Sequence, residues 1–460
     1  MIPLTFAGVE NRLNARCVHG DVSITRVSTD TRTIQAGDIF VALRGDNFDG
    51  HNFVAKAVDA GAAGIVVDHE VDDITVPQLI VADTTKALGL IASAYRDQFT
   101  CPVVAITGSS GKTSVKEMLH SILSQEGEVL ATRGNLNNHI GVPLTLFEMN
   151  DEHRFAVVEM GASGGGEIGY LCGLAKPDVA MVNNVMPAHL EGFGSVDGIA
   201  KAKGEIYNGL SSEGVAIFNL DEPFSSQWQE ANKAKAITYG FGESATVHAS
   251  DIKLSASGSE FKLTVACEMA PAALSVPGKH NIANALAASA CACALGLNAD
   301  EIAKGLANFS SVKGRLQQVR GLKGEVVIDD SYNANPGSVK AGIDVLATMP
   351  GKKVFIFGGM GELGDDAERL HREIGEYAAE KKIDELWVCG LNATDVADGF
   401  SLDDQYAELF TSRDDLIASY LASERDKDTA VLVKGSRSTR MDLVVAAIKS
   451  ENNNDHGGVH

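Results

Sequence analysis

The middle of the chain alternates between short, strongly apolar runs and segments whose apolar residues recur at helical spacing. The apolar runs are 102–106, 155–159, 179–183 and 215–219. Such runs, rich in β-branched residues, are typical of parallel strands covered by helices on both faces. Three of them end at a polar residue, and ligands of open α/β sheets bind at the carboxyl ends of the strands. The pattern therefore predicts a central parallel sheet with a binding site at one edge.

The same alternation occurs in a block before this region and in a block after it. In the first block, strands are predicted at 38–43 and 64–67, with a helix at 53–60 between them. In the last block, strands are predicted at 326–328, 354–357, 385–388 and 430–433. We therefore expect an α/β protein of three domains, with a Rossmann-like C-terminal domain, as its length also favours. The predicted domains are 1–83, 84–314 and 315–460, with a disordered polar tail at 451–460.

Two segments depart from this pattern. Residues 247–276 alternate polar and apolar side chains around Gly258, which predicts an antiparallel insertion. Residues 282–297 form the longest apolar run, but it is rich in alanine and is interrupted by Asn284 and Ser289. It is too short to span a bilayer, so we expect a buried helix and no membrane insertion.

Composition narrows the class of protein further. The chain has 39 basic and 61 acidic residues, a net charge of −22, which argues against a nucleic-acid partner. Its seven cysteines are scattered and include no Cys-x-x-Cys pair, which is typical of reduced thiols. We expect a cytoplasmic protein that is a monomer and whose partners are small molecules.

The most specific motif is the stretch Thr107-Gly-Ser-Ser-Gly-Lys-Thr113, which lies between a predicted strand and a predicted helix. In a phosphate-binding loop, backbone N–H groups wrap the phosphate at the positive end of the helix. Lys112 is then expected to reach the β- and γ-phosphates, and the Thr113 hydroxyl to hold Mg²⁺. The sequence thus predicts a P-loop ATPase domain. The predicted nucleotide-binding residues of this loop are Gly108, Ser109, Ser110, Gly111, Lys112, Thr113 and Ser114.

This loop is shorter than the usual one, because Ile106 occupies the position where a first glycine is expected. A Gly-Ser turn that merely precedes a helix is the alternative interpretation. The agreement of strand, glycine spacing, lysine, threonine and helix in one order favours the phosphate loop.

Further candidates lie after the next two strands. Glu159 ends a buried strand and could share a Mg²⁺ with Thr113, or could cap the turn that follows. His189 lies in a loop beside Glu191, where a metal ligand and a structural histidine are both compatible with the sequence. Lys201 and Lys203 begin a helix, and their spacing alone favours a solvated basic face.

A second glycine-rich motif, Gly359-Met-Gly-Glu-Leu-Gly364, fits the dinucleotide fingerprint and lies between a predicted strand and a predicted helix. The next strand ends at 388–391 without the acidic residue expected at a ribose. A dinucleotide site would also leave the phosphate loop unexplained. We therefore do not expect a dinucleotide here.

Taken together, these motifs resemble those of the Mur ligases, ATP-dependent amide-forming enzymes of peptidoglycan precursor synthesis. The short loop is that family's form. The resemblance implies that Lys112 is catalytic, that Glu159 holds one Mg²⁺, and that His189 and a carbamylated Lys203 hold a second. It also implies ATP contacts in Gly278-Lys-His-Asn-Ile-Ala-Asn-Ala285 and in the last domain. These contacts are Asn281, Arg315 and Asp330.

The resemblance extends over the whole chain and implies particular substrates. Segments 28–32 and 37–45 are similar to the uridine-diphosphate domain of the family, and 134–143 and 330–336 are similar to the member that adds a dipeptide. The tetrapeptide Asp-Asn-Pro-Arg, usual in the member that adds the third peptide residue, does not occur. The implied substrate-binding residues are Ser28, Thr29, Arg44, Asn135, Asn137, Asn138, Lys434 and Ser436.

The expected reaction joins D-alanyl-D-alanine to the carboxylate of UDP-N-acetylmuramoyl-tripeptide through an acyl phosphate, with release of ADP and phosphate. Other hypotheses remain: another ligase of the superfamily such as a folylpolyglutamate synthase, a P-loop kinase or NTPase, or a non-catalytic nucleotide-binding module. The uridine-type first block argues against the folylpolyglutamate synthase. The last hypothesis gives Glu159, His189 and Lys203 no role.

Overall fold

Three separate sheets organise the chain, in a computed structural model that describes residues 4–45, 47–188, 190–390, 392–401 and 406–450. The first sheet has the strand order β1-β7-β6-β3-β2, and β4 and β5 pair as a short hairpin beside it. The strands are β1 (Arg16–Val18), β2 (Val27–Ser28), β3 (Ile39–Val41), β4 (Arg44–Gly45), β5 (Phe48–Asp49), β6 (Gly64–Val67) and β7 (Gln78–Ile80). The helices of this part are α1 (Phe6–Leu13), α2 (Val54–Asp59) and α3 (Thr84–Arg96), with a 3-10 turn at Gly50–Phe53.

The central sheet has the order β16-β15-β14-β13-β12-β11-β8-β10-β9 within the described residues. Its strands are β8 (Val103–Thr107), β9 (Glu128–Ala131), β10 (His153–Glu159), β11 (Val179–Val182), β12 (Val215–Asn219), β13 (Lys235–Gly240), β14 (Val247–Ser255), β15 (Gly258–Val265) and β16 (Glu268–Leu274). Its helices are α4 (Lys112–Leu123), α5 (Gly141–Leu146), α6 (Glu167–Ala175), α7 (Leu190–Phe193), α8 (Val196–Asn208), α9 (Ser225–Ala231), α10 (Lys279–Ala294) and α11 (Ala299–Ala307).

The third sheet has the order β17-β18-β22-β19-β20-β21, and β17 is its antiparallel edge. Its strands are β17 (Gln317–Arg320), β18 (Val326–Asp330), β19 (Lys352–Phe357), β20 (Glu385–Cys389), β21 (Ala407–Phe410) and β22 (Thr429–Lys434). Its helices are α12 (Pro336–Thr348), α13 (Ala367–Glu380), α14 (Ala393–Phe400), α15 (Arg413–Ala422) and α16 (Asp442–Ile448), with 3-10 turns at Gly364–Asp366 and Arg437–Thr439.

The α/β class is confirmed, and the antiparallel segment has an additional role. β14 pairs with β13 in parallel, while β15 and β16 pair antiparallel beyond it, so this segment extends the central sheet. The predicted buried helix corresponds to α10, whose alanines pack in the core between the sheet and α4. Among the described helices, none has the length and apolarity to cross a bilayer. The predicted domain boundaries remain a prediction, and the tail at 451–460 lies outside the described residues.

Two faces of the central sheet are covered by different helices, which places the phosphate loop. The apolar side chains of α4 at 115, 118, 119, 122 and 123 are all fully buried against one face of the sheet. This burial fixes the axis of α4 so that its first turn lies at the carboxyl end of β8. The carboxyl ends of the neighbouring strands β10 and β11 meet at the same edge, as parallel pairing requires.

Candidate active site

The phosphate loop has the backbone that its glycines predict. Gly108 and Gly111 both have positive φ, 154° and 76°, and Gly111 is the residue immediately before α4. A Cβ on Gly111 would lie 2.5 Å from both Asn183 Nδ2 and Asn284 Oδ1. Position 111 therefore requires glycine for two independent reasons, the left-handed backbone and the close approach of neighbouring side chains.

The loop is held in shape by the segment that follows β11. Asn184 accepts hydrogen bonds from the backbone N–H of Ser109 and of Ser110, through its carbonyl and its side-chain oxygen at 3.0 and 2.9 Å. The Ser109 hydroxyl donates to the carbonyl of Met186. Two of the N–H groups expected to wrap a phosphate are thus already bonded to protein. The N–H groups of the first turn of α4, which have no partner within their helix, remain for an anion.

A carboxylate lies beside the threonine of the loop, as the sequence predicts. The Thr113 hydroxyl donates to Glu159 Oε2 at 2.8 Å, and the Asn137 amide donates to Glu159 Oε1 at 2.8 Å. Arg315 lies two residues before β17, at the entry to the third sheet, and its guanidinium donates to the Thr113 hydroxyl oxygen at 2.9 Å. Glu159 is buried, with 2% of its surface exposed. A buried carboxylate paired with neutral donors and a hydroxyl oxygen beside it are the hard oxygen ligands that Mg²⁺ favours.

Two lysines of the site differ from ordinary surface lysines. The Lys112 ammonium donates to the carbonyl of Gly108 at 2.6 Å, folded back over its own loop. Lys203 is buried, with 3% of its surface exposed, so the prediction of a solvated basic face is wrong for it, while Lys201 is exposed. Burial, aided by the positive charge of Lys112, lowers the pKa of Lys203 to about 7. Its amine is therefore substantially neutral near pH 7.

The third sheet presents a second group of charged residues to the same space. Lys434 ends β22 and donates to Asp330 Oδ2 at 2.5 Å and to the carbonyl of Asn333 at 3.0 Å. Burial raises the pKa of the Asp330 carboxyl, and the Lys434 ammonium opposes that rise. The Arg315 guanidinium lies 4.4 Å from the centre of the Tyr332 ring, which supports its reach toward Thr113.

These groups line one cavity of about 630 Å³ between the carboxyl ends of the central and third sheets. This volume suits a nucleotide with part of a second substrate. Most of the predicted site residues line it: Gly108, Ser109, Ser110, Gly111, Lys112, Ser114, Asn135, Asn137, Asn138, Glu159, Lys203, Asn281, Arg315, Asp330 and Lys434. Thr113 contacts two of them.

The other predicted residues lie elsewhere. Ser28 and Thr29 line a second cavity of about 1200 Å³ between the first and central sheets. Arg44 lines neither cavity and contacts Asp49 and Asp68 on the first block. The Ser436 hydroxyl lies 3.1 Å from that of Ser438. Roles for Arg44 and Ser436 in substrate binding stay predictions, and His189 lies outside the described residues.

Sequence reasoning missed several residues that line the cavity. Asn184 is one of them, and its position directly after the apolar run 179–183 is the signal that could have identified it. Asn183 and Asn219, at the ends of the apolar runs 179–183 and 215–219, also line the cavity, and the sequence pattern predicts them at the binding edge without a role of their own. Asn284 is the second asparagine of the 278–285 segment, and its Oδ1 accepts from Asn183 Nδ2 at 3.1 Å. Tyr332 lies inside segment 330–336, and sequence reasoning assigned it no role of its own.

Comparison with known proteins identifies one protein family along the whole chain. The models of the Mur ligase family catalytic domain, the Mur ligase middle domain and the Mur ligase, glutamate ligase domain match residues 23–96, 106–292 and 314–437. The UDP-N-acetylmuramoyl-tripeptide–D-alanyl-D-alanine ligase of Escherichia coli is 42% identical, over 98% of this chain and 99% of the relative.

Solved structures of the same family also superpose on this chain. A crystal structure of MurF from Acinetobacter baumannii superposes with a TM-score of 0.89 at 37% identity, covering 96% of this chain and 98% of that one. MurF ligase from Thermotoga maritima in complex with ADP gives 0.81 at 29% identity, covering 92% and 96%. With three domain models in order and a relative aligned from end to end, this chain belongs to the Mur ligase family.

Proposed function

We propose that this chain is an ATP-dependent ligase that joins D-alanyl-D-alanine to the terminal carboxylate of UDP-N-acetylmuramoyl-tripeptide. The observation that carries the proposal is the contact of Arg315 with Thr113, beside Glu159. It brings a cation of the third sheet onto the phosphate loop and thereby forms one charged site from two domains. We infer the substrates from the relatives. These are named UDP-N-acetylmuramoyl-tripeptide–D-alanyl-D-alanine ligases, and they align over nearly all of the chain.

The reaction needs ATP because a carboxylate oxygen is a poor leaving group. The tripeptide carboxylate attacks the γ-phosphorus, the bond from that phosphorus to the β,γ-bridging oxygen breaks, and ADP leaves. The amine of D-alanyl-D-alanine then attacks the acyl carbon, loses a proton and expels inorganic phosphate. Phosphoryl transfer requires mainly positioning and neutralisation of charge from the protein. Lys112 and Arg315 supply positive charge at the phosphates, and the first turn of α4 orients them.

Thr113 and Glu159 would hold a Mg²⁺, whose chemistry is to neutralise phosphate charge as a Lewis acid. A second Mg²⁺ is proposed at His189 and a carbamylated Lys203. A lysine ammonium repels a cation, whereas a carbamate offers anionic oxygen ligands. The burial of Lys203 supports this assignment, because CO₂ adds to the neutral amine and not to the ammonium.

The two cavities suit the two ends of a long substrate. Ser28 and Thr29 lie in the larger one, where the uridine diphosphate end would bind. Asn135, Asn137 and Asn138 line the smaller one, where the carboxylate would meet the γ-phosphate. One loop, 132–138, contributes to both walls.

Release of inorganic phosphate tests this function directly. The assay uses the purified chain with ATP, Mg²⁺ and either the lysine- or the diaminopimelate-containing nucleotide-tripeptide, with and without D-alanyl-D-alanine. We expect sustained release when both substrates are present. Equal release without any tripeptide would identify a plain ATPase, and transfer of phosphate to a different small molecule would identify a kinase.

The carbamate has its own test. We expect Lys203→Ala to lose ligase activity, Lys203→Arg to remain inactive, and short-chain carboxylates to restore part of the activity of Lys203→Ala. Full activity of Lys203→Ala without any added carboxylate would refute this role.

A further inference from the structure

Lys116 is a buried cation that the proposed chemistry does not use. It lies one turn after Lys112 on α4 and has 2% of its surface exposed. Its ammonium donates to the carbonyl of Thr132 at 2.5 Å and lies 2.5 Å from Glu117 Oε1. Burying a lysine is costly unless its charge is paired and its N–H groups are bonded. A packing role alone would be filled more cheaply by an apolar side chain, so the position of the ammonium requires another explanation.

Thr132 connects Lys116 to the carboxylate of the active site. Thr132 follows β9 directly and is fully buried. Its hydroxyl oxygen accepts from the backbone N–H of Glu159 at 3.0 Å, while its carbonyl accepts from Lys116. The position of the Glu159 backbone is therefore set partly by Thr132, which in turn is held by Lys116.

The loop that begins at Thr132 returns to Glu159 at its other end. The Asn137 amide donates to Glu159 Oε1 at 2.8 Å, and the Asn137 carbonyl accepts from the N–H of Gly161 at 2.8 Å. Residues 132–138 thus contact Glu159 at the backbone through the first residue and at the carboxylate through the sixth. A displacement of Thr132 would change both contacts.

The same loop separates the two cavities. Thr132, Arg133, Gly134 and Leu136 line the larger one, together with Lys116. Asn135, Asn137 and Asn138 line the smaller one, together with Lys112. The loop and α4 are therefore a continuous wall between the place proposed for the nucleotide end of the substrate and the place proposed for phosphoryl transfer.

We propose that Lys116 is a positioning residue, which anchors the loop 132–138 through Thr132 and so fixes the Glu159 carboxylate for Mg²⁺ and for the reacting phosphate. The inference rests on the proposed ligase function. Lys116 lines the larger cavity and not the one proposed for the phosphates, so it acts through Thr132 and Glu159. Misplacing a catalytic group by a fraction of an ångström to one ångström reduces the rate strongly even when substrate binding persists.

The test compares Lys116→Met, which keeps the length of the side chain and removes the ammonium, with the exposed control Lys86→Met. We expect Lys116→Met to lower kcat about tenfold and to raise the Mg²⁺ concentration for half-maximal rate by a similar factor. The KM for D-alanyl-D-alanine is expected to change less than the Mg²⁺ dependence does, because the linkage ends at the Glu159 carboxylate. Lys86→Met should leave kcat and the Mg²⁺ dependence unchanged.

A second pair of variants does not depend on Lys116→Met folding. Thr132→Val removes the hydroxyl that holds the Glu159 N–H, and Thr132→Ser keeps it. We expect Thr132→Val to shift the Mg²⁺ dependence more than Thr132→Ser does. The double variant Lys116→Met/Thr132→Val should lose less than the product of the single losses, because both act on one linkage.

The outcomes separate this inference from the proposed function. A wild-type chain without ligase activity on either tripeptide would refute the function. An active wild type whose Lys116→Met variant has a lower melting temperature but an unchanged kcat and Mg²⁺ dependence would refute the inference, as would equal behaviour of Thr132→Val and Thr132→Ser.

Discussion

Two glycine-rich loops follow parallel strands and precede helices, one after β8 and one after β19, and their surroundings differ in charge. The first leads directly into α4 at Lys112, and Lys203 and Arg315 line the same cavity. The second, 359–364, is followed by a 3-10 turn and only then by α13. The acidic residues at the start of that helix are Asp365, Asp366 and Glu368. Carboxylates close to a helix N-terminus repel a phosphate that would bind there.

The second loop also uses its backbone and side chains for packing. The Met360 N–H donates to His371 Nε2 at 2.9 Å, and the Gly359 carbonyl accepts from the N–H of Ser436 at 3.0 Å. Met360 and Leu363 are buried in the core of the third sheet. Both loops therefore share the glycine spacing between a strand and a helix. A phosphate site is distinguished by the charge around the helix N-terminus and by backbone N–H groups that are available to bind an anion.

The largest difference between the two loops is expected when one cation beside each loop is removed. We expect Lys112→Met to lower kcat about 1000-fold, because its charge neutralises the phosphates in the transition state. Arg369→Met removes the equivalent cation early in α13, an exposed side chain that contacts Asp366 and Glu373, and should leave kcat within about twofold. Phosphate release measures both. A large loss in Arg369→Met would show that the second loop also takes part in the reaction.

A methyl group added to each loop gives the next largest difference. Gly111→Ala forces a left-handed residue against Asn183 and Asn284 at 2.5 Å, and we expect a loss of about 100-fold in kcat/KM for ATP. A Cβ on Gly361 would meet its nearest neighbour, Ser436 Oγ, at 3.7 Å, so Gly361→Ala should change kcat/KM little. Circular dichroism checks that both variants fold. Similar losses in both would mean that the first loop is not specially adapted to phosphate.

Much of this site could be predicted from the sequence because its signals are local. The phosphate loop has a strand, fixed glycines and a helix in one continuous stretch, and Glu159 ends a buried apolar run. The contacts that hold them are not local. Asn184 acts on the loop because β11 happens to pair with β8, and Thr132 acts on Glu159 because β9 pairs with β10.

The burial of Lys116 also could not be predicted from the sequence. In a helix that is apolar on one face, a lysine four residues after another lysine indicates a solvated stripe. In the structure Lys116 faces the loop 132–138, which covers it. Burial of Lys203 escaped the sequence for the same reason, since the pattern within a helix says which side chains share a face and not what covers that face.

The burial of Lys203 beside the first loop predicts that stability depends on pH above about pH 7. Burial lowers the pKa of Lys203 to about 7 from 10.5. Between these values the unfolded chain binds a proton at this lysine that the folded chain does not, so the free energy of unfolding should rise with pH by about 1.4 kcal/mol per unit. Lys203→Met should be more stable than wild type near pH 7, with an advantage that shrinks as the pH approaches about 10.

Urea unfolding in CO₂-free buffers measures this difference, since carbamylation would otherwise change the charge. Lys201→Met, two residues earlier on α8 and exposed, is the matched control and should keep the wild-type dependence on pH. A parallel pH profile for wild type and Lys203→Met would mean that Lys203 ionises as an exposed lysine does.

The smallest expected effect concerns the contact between Arg315 and Thr113 of the first loop. Arg315 donates to Thr113 and stacks on Tyr332, and a lysine can reproduce the charge but neither the planar stack nor the fixed direction of the N–H group. We therefore expect Arg315→Lys to raise the KM for ATP about fivefold with a smaller change in kcat. Tyr332→Leu should act in the same direction, and the double variant should lose less than the product, because the ring and the guanidinium form one unit. Arg440→Lys, at an exposed arginine that contacts Asp442, is the control and should leave the KM unchanged. If Arg315→Lys matches Arg440→Lys, the third sheet contributes no positioned cation, and the phosphate loop differs from the loop at 359–364 by its own residues alone.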